Sequence, residues 1–142
     1  MDAEALVRLR IAVGRLNRRL SAAAQGSDLT PTQMWVLTAI VRHGSIGVGD
    51  LATTETLNPT MLSRVVGKLE DAGLVRRTND PVDRRVTFVE PTAAGRRLKQ
   101  RIQQQRTAEL AERLELLSPG QTEALLVALP ALEALASDTR RP

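Results

Sequence analysis

Cationic and polar side chains are concentrated in one stretch of this 142-residue chain, from Asn58 to Arg85. Its first half carries Ser63, Arg64 and Lys68 at helical spacing, and its second half ends in the pair Arg84-Arg85. Arginine and lysine bind phosphate, and the arginine fork also matches the O6 and N7 atoms of guanine. The stretch therefore predicts anion recognition, with nucleic acid as the candidate ligand.

The sequence lacks the residues that catalysis, metal binding or thiol redox sensing would need. The chain has no Cys, and its single His, His43, has no Ser and carboxylate spaced to complete a catalytic triad. There is no GxGxxG motif and no other phosphate-cradling glycine loop. A lone His without Cys also argues against a zinc site or a thiol redox sensor. We therefore expect no catalytic residues, no cofactor and no metal.

The composition fits a basic globular protein. The net charge is +4 and the pI is near 10.9, which is compatible with a polyanionic partner but does not establish one. No apolar run approaches the ~20 residues needed to span a bilayer. Acidic residues precede the first apolar stretch, which is unlike a secretory signal. We expect a cytoplasmic protein with no membrane contact.

A helix-turn-helix is predicted to position the cations. A short helix over Val48–Thr54 is followed by a turn over Glu55–Leu57 and by a second helix over 59–72, which Asn58 caps and Pro59 begins. The second helix has an apolar face at helical spacing, formed by Leu62, Val65, Val66 and Leu69. Its opposite face carries the polar and cationic side chains, as a helix that reads DNA requires.

A β-hairpin is predicted directly after this helix. Leu74–Thr78 and Val86–Glu90 are short and rich in β-branched residues, and Asn79–Asp83 supplies turn residues between them. A two-stranded hairpin is marginal alone, so it must pack on the preceding helices. The pattern predicts a winged helix-turn-helix.

Helices flank this head on both sides. Residues 5–24 are predicted to form a helix, which Gly26 ends. Its apolar residues recur at spacings of three and four and so form one narrow seam. The seam packs either on the chain's own core or on a second subunit. The head begins with a capping box at Thr30, Pro31 and Gln33.

Two more helices follow the head. A long polar helix runs from Thr92 to about Leu116, and a leucine-rich helix follows a second capping box at Ser118, Pro119 and Gln121. Pro130 is expected to kink or break the last helix, and residues 138–142 to fray.

The predicted fold class is mainly α. A winged helix-turn-helix head with a two-stranded β wing spans 30–91, an N-terminal dimerisation helix spans 1–29, and the C-terminal linker and dimerisation helices span 92–142. The terminal helices hold more leucine than a small head needs to cover, which predicts an interface between two copies. The residues assigned to that interface are Leu6, Leu9, Val13, Leu16, Leu117, Leu125, Leu129 and Leu132.

These motifs resemble the MarR (multiple antibiotic resistance regulator) family of bacterial transcription factors. The resemblance rests on NPTMLSR from Asn58, LEDAGLVRR from Leu69, DPVDRR from Asp80 and TAAG from Thr92, and it covers nearly the whole chain. It implies a homodimer that binds a pseudo-palindromic duplex. It also implies that the protein represses transcription and that a small molecule relieves this repression. One departure is Pro91, where the family usually has Leu.

The hypothesis for DNA contact places the helix 59–72 in the major groove and the wing tip in the minor groove. Arg64 is expected to pair with guanine or, alternatively, to form a salt bridge with Glu70, Asp71 or Asp50. Arg84 is expected to enter the minor groove and Arg85 to brace the loop against Asp83 or Asp80, although the sequence does not decide which arginine has which role. The strand pair Arg76-Arg77 contacts phosphate or is simply solvated. The predicted DNA-binding residues are Pro59, Thr60, Met61, Ser63, Arg64, Lys68, Arg76, Arg77, Arg84 and Arg85.

The resemblance to the MarR family also implies a small aromatic or phenolic ligand as a further partner. The residues proposed to line its site are Arg15, Leu16, Met34, Trp35 and His43, although Trp35 also fits a plain core position. Two rival functions stay open, since a fold does not fix a function. They are a weakly specific architectural DNA binder and a winged-helix module for protein contact.

Overall fold

The computed structural model describes residues 1–23 and 28–137. Over those residues the chain forms six helices and three strands. In chain order they are α1 (Ala3–Ala23), α2 (Pro31–His43), β1 (Ile46–Gly47), α3 (Val48–Thr54), α4 (Pro59–Asp71), β2 (Val75–Asn79), β3 (Thr87–Pro91), α5 (Ala93–Leu114) and α6 (Pro119–Ala136). The predicted cap at Gly26 and the predicted fraying of 138–142 lie outside the described residues.

The mainly α winged helix-turn-helix class is confirmed, with one addition to the wing. The three strands are antiparallel in the order β1-β3-β2, so β3 is central. Val75 pairs with Pro91 and Thr78 with Phe88 across β2 and β3, while Ile46 pairs with Val89 across β1 and β3. The two-residue strand β1 was not predicted, because the segment around it indicates only the end of a helix. It ties the start of the helix-turn-helix to the wing.

Local capping explains where the helices begin. The Thr30 hydroxyl accepts a hydrogen bond from the Gln33 amide at 3.2 Å, and the Gln33 side chain accepts one from the Thr30 amide at 3.0 Å. Ser118 and Gln121 form the same capping box at the start of α6, at 3.3 and 3.0 Å. Both predicted boxes are therefore confirmed, and each satisfies two N–H groups that a helix start leaves unpaired.

Of the two outcomes predicted at Pro130, the break is wrong, because α6 continues through it to Ala136, and the kink stays a prediction. Proline removes a single intrahelical hydrogen bond, the one that residue 130 would donate to the Leu126 carbonyl. The loss is therefore local, and the helix extends on both sides of the proline.

The first compact unit, Met1–Arg106, contains the hydrophobic core. Leu37 and Ile40 of α2, Leu51 of α3 and Leu62 and Leu69 of α4 are completely buried. The β residues Val75 and Val89 close the same core from the wing side. Helix α4 and the strands of the wing therefore pack on one shared core.

A close junction joins the wing to α5 within this unit. The Thr92 amide donates to the Leu74 carbonyl at 3.0 Å, and the Thr92 hydroxyl donates to the Gly73 carbonyl at 2.6 Å. The same hydroxyl accepts from the Gly95 amide at 3.1 Å and so caps α5. A β-carbon on Gly95 would lie only 2.0 Å from the Leu74 carbonyl oxygen, so no larger residue fits there.

The second compact unit, Thr107–Pro142, holds the last turns of α5 and the whole of α6. No residue of α6 is buried, although this helix is rich in leucine. In the first unit, α1 likewise has no buried residue among those whose side chains are described. The two units divide inside α5, and the predicted boundaries at 29 and 91 stay predictions.

Candidate nucleic-acid interface

Helix α4 presents one apolar and one polar face. The Asn58 side chain accepts hydrogen bonds from the Thr60 and Met61 amides at 2.9 and 3.1 Å, which starts the helix beside Pro59. Leu62, Val66 and Leu69 point into the core. The side chains left exposed on the other face are Thr60, Ser63, Arg64 and Lys68. The cap also uses two of the free amides at the helix start, which leaves side chains as the principal donors there.

Arg64 and Lys68 are free to bind an external anion. Within 1–23 and 28–137 neither forms an ion pair or a hydrogen bond through its side chain. The alternative salt bridges of Arg64 with Glu70, Asp71 or Asp50 are not formed. Two unpaired cations one turn apart on an exposed helix face have the charge and the access that binding a phosphate would require.

The wing tip is held by two aspartates. Asp80 accepts hydrogen bonds from the Val82 and Asp83 amides at 2.7 and 3.1 Å, and Asp83 accepts from the Arg85 amide and from its Nε, each at 3.1 Å. Backbone bonds between Asp80 and Val86 and between Val86 and Asp83, both 3.0 Å, close the hairpin. The side chains thereby fix the loop in one conformation.

The same contacts separate the roles of the two tip arginines. Arg85 braces the loop through Asp83, which is one of the two outcomes that the sequence left open. Arg84 is exposed and has no side-chain partner in the described part of the chain. Arg84 is therefore the tip cation that is available to a ligand.

The two wing-tip carboxylates are more acidic than usual. The Asp83 and Val82 amides hold the pKa of Asp80 below the ordinary value of 3.8. The guanidinium of Arg85, followed by its amide, does the same for the pKa of Asp83. Both groups favour the charged form because they accept hydrogen bonds. The tip is therefore fully braced at neutral pH.

The two arginines at the base of the wing, Arg76 and Arg77, form bonds to other residues of the chain. Arg76 pairs with Glu90 across β2 and β3 at 2.6 Å. Arg77 donates from Nη2 to the Ser63 carbonyl at 2.8 Å, and its amide donates to the Glu70 carboxylate at 3.0 Å. Neither residue is simply solvated, and each retains further N–H groups that face outward.

A groove of about 750 Å³ lies between α1, α2 and α5 in the first unit. Met34 and Trp35 are at its wall, as predicted, and Trp35 is 47% exposed rather than a core residue. The remaining lining residues are Asn17, Ser21, Asp28, Leu29, Thr30, Pro31, Thr38, Ile102 and Arg106. Sequence reasoning missed Arg106, whose Nε is buried without a hydrogen-bond partner. Only the fold brings it near Trp35, 71 positions earlier.

Three residues predicted for that groove do not line it. Arg15 and Leu16 lie on α1 outside the lining. His43 ends α2, where its Nε2 lies 3.5 Å from the Glu55 carboxylate, which Arg42 also contacts. His43 lies nine positions after Met34 in α2, about 13 Å along the helix axis, which explains the misplacement. His43 therefore lies beside Glu55, at the turn between α3 and α4, and not in the groove.

The residues assigned to the dimer interface are uncovered or only half-buried in the single chain. On α1, Leu6 and Val13 are each 54% exposed and Leu16 is 40% exposed. On α6, Leu125 and Leu129 are also exposed. Leu9, Leu117 and Leu132 are half-buried. Each helix thus carries apolar surface that nothing in its own unit covers.

Within the described ranges no three metal-ligating side chains come together. No helix of the described chain is both long and apolar enough to cross a membrane.

Comparison with known proteins gives the family of this fold. The model of the MarR family matches residues 29–87. An uncharacterised HTH-type transcriptional regulator of Mycobacterium bovis is 31% identical over 97% of this chain and 96% of its own length. A crystal structure of a candidate transcriptional regulator from Pseudomonas aeruginosa is 31% identical, covers 94% of each chain and has a TM-score of 0.85. The Streptococcus pneumoniae protein FabT, solved in complex with DNA, has a TM-score of 0.72 at 16% identity, over 98% of this chain and 100% of that one.

Proposed function

Because this chain belongs to the MarR family of transcriptional regulators, we propose that it represses transcription by binding double-stranded DNA as a homodimer. The observation that carries the proposal is the set of unpaired cations on one head: Arg64 and Lys68 on α4 and Arg84 at the wing tip. The related fold of FabT was solved with DNA bound, which supports the same use of this head. A regulator of this kind acts at the chromosome, in the cytoplasm.

In the proposed complex α4 enters the major groove. Thr60 and Ser63 contact phosphates or base edges, Arg64 reads guanine, and Lys68 binds phosphate. Pro59 and Met61 lie at the same end of the helix. Arg84 enters the adjacent minor groove, where a cation responds to the groove's width more than to its sequence. The outward N–H groups of Arg76, Arg77 and Arg85 add phosphate contacts beside their internal bonds.

The proposed dimer is supported by apolar surface. Fully burying a leucine side chain is worth about 1.5–3 kcal/mol, so a helix with several uncovered leucines is stabilised when a partner covers them. Five of the assigned residues are exposed in the single chain: Leu6, Val13, Leu16, Leu125 and Leu129. A second copy covers such surface by two-fold symmetry, and two heads then fit a pseudo-palindromic operator.

We test DNA binding with a random pool of short duplexes at two salt concentrations, followed by sequencing of the bound fraction. The proposal expects a palindromic consensus with half-sites about one helical turn apart. Enrichment without a consensus, with affinity that collapses as salt rises, would favour an architectural binder instead. No binding at either salt would refute DNA recognition and favour a protein-contact module.

The groove beside Trp35 is the proposed effector site. Its lining combines the exposed indole of Trp35 with the cationic residue Arg106, which suits a planar aromatic carboxylate or phenol. Occupation of a groove formed by three helices would alter how those helices pack. We propose that this change relieves repression.

Ligand binding at this site can be followed by intrinsic fluorescence, because Trp35 is the only tryptophan of the chain. Titration with a hydroxybenzoate should change the indole fluorescence and release the protein from its consensus duplex. Arg106→Gln should weaken that binding by about tenfold, while the exposed Arg101→Gln on the same helix serves as the matched control. Equal binding by both variants would reject the site.

A further inference from the structure

Arg77 forms hydrogen bonds with α4 at two positions and passes beside a third. Its Nη2 donates to the Ser63 carbonyl at 2.8 Å, and its amide donates to the Glu70 carboxylate at 3.0 Å. Between these two contacts, Nη2 passes 3.9 Å from the point where a β-carbon on Gly67 would lie. Residues 63, 67 and 70 share one face of a helix. A single residue of β2 thus lies along two turns of the reading helix.

This contact differs from that of the neighbouring arginine. Arg76 pairs with Glu90, so its bond stays within the wing. Arg77 instead joins the wing to α4, and its donor is charged, which gives a strong hydrogen bond to the carbonyl. The two neighbours form a natural comparison: one bond stabilises the hairpin and the other connects the hairpin to the helix.

We propose that Arg77 is a positioning residue for DNA recognition, because it fixes the placement of the wing relative to α4. The inference rests on the proposed DNA binding. When Arg64 and Arg84 belong to one rigid head, a DNA contact by one arginine holds the other close to its own site on the DNA. The second contact then forms at a high effective concentration. A wing that moves independently must be ordered on binding, and this entropy cost reduces the gain from Arg84.

The test is a double-mutant cycle on the selected duplex, measured as affinity. Arg84→Ala should weaken wild-type binding by at least about tenfold, or ~1.4 kcal/mol. In the Arg77→Ala background the same change should cost less than about threefold. Arg77→Lys, which keeps a donor, should restore most of the coupling. In an Arg76→Ala background Arg84→Ala should keep its full cost.

An additive cycle would overturn the inference. If Arg77→Ala lowered the slope of log affinity against log salt by about one and left the cost of Arg84→Ala unchanged, Arg77 would act as a phosphate contact alone. Thermal unfolding of each variant controls for loss of fold. Failure of the wild-type chain to bind any duplex would overturn the proposed function and this role together, whereas an additive cycle in a chain that binds DNA would overturn this role alone.

A second measurement needs no DNA. The chain has no Cys, so spin labels can be placed by Asp71→Cys at the end of α4 and Val82→Cys at the wing tip. With labelled chains diluted into unlabelled ones, Arg77→Ala should broaden the distribution of distances between the labels, and Arg76→Ala should not. An unchanged distribution in Arg77→Ala would reject the positioning role.

Discussion

The replacement of Gly95 by alanine gives a sharp test of the junction between the wing and α5. An added β-carbon would lie 2.0 Å from the Leu74 carbonyl oxygen and 3.0 Å from its carbon. Ordinary contacts between heavy atoms are near 3.5 Å, so one side must move by more than about 1 Å. The nearest atoms are backbone, which cannot rotate away as a side-chain end can.

The cost of this substitution outweighs the gain from helix propensity. Overpacking of a tight site costs about 1–3 kcal/mol. A shift of α5 also strains the bonds from Thr92 to the Leu74 and Gly73 carbonyls, each worth about 1 kcal/mol. Alanine in place of glycine returns about 1 kcal/mol in a helix. We therefore expect a net loss of about 2–4 kcal/mol in the free energy of unfolding and a fall in Tm on the order of 10 °C.

Urea unfolding followed by circular dichroism, at one fixed protein concentration, measures this loss. Gly67→Ala is the matched control, because its β-carbon would meet only the Arg77 side chain, at an ordinary 3.9 Å. That control should be more stable than wild type by about 0.5–1 kcal/mol. A Gly95→Ala protein as stable as wild type would refute the argument for a close junction.

Three further predictions follow from the same geometry. Arg64→Ala should relax preference at one base pair at a cost of about 1–3 kcal/mol, whereas Lys68→Ala should weaken all duplexes equally and lower the salt slope by about one; competition binding distinguishes them. The depressed pKa of Asp83 means that its bracing is complete above the unfolded value of about 3.9 and is lost only as pH falls through the lower folded value. In an NMR titration Arg85→Ala should therefore raise the Asp83 midpoint, and an unmoved midpoint would contradict the bracing contact. Leu129→Glu should raise the dimer dissociation constant by about 100-fold or more without unfolding the single chain, as judged by light scattering and circular dichroism.

Features encoded by neighbouring residues could be predicted from the sequence. Both capping boxes, the Asn58 cap and the brace from Arg85 to Asp83 involve partners two or three positions apart, so residue types alone indicate them. The apolar face of α4 follows in the same way from helical spacing. These local rules were sufficient for the fold class and for the face that carries the cations.

Features that depend on distant residues could not be predicted. Strand β1 is two residues long and exists because β3 lies beside it, about 40 positions later. The bond from Arg77 to Ser63 spans 14 positions, and nothing in either local pattern indicates it. His43 was assigned to the ligand groove by residue type, but the end of α2 places it near Glu55. Tertiary packing decides all three.

The uncovered leucines of α6 have a consequence for the cell. If the active species is a pair of chains, its amount at low abundance rises with the square of the chain concentration. Halving expression would then remove about three quarters of the active regulator. A small change in synthesis or turnover would become a sharper change in promoter occupancy, with no effector involved. The exposed surface of one helix would thereby set how strongly gene dosage affects the response.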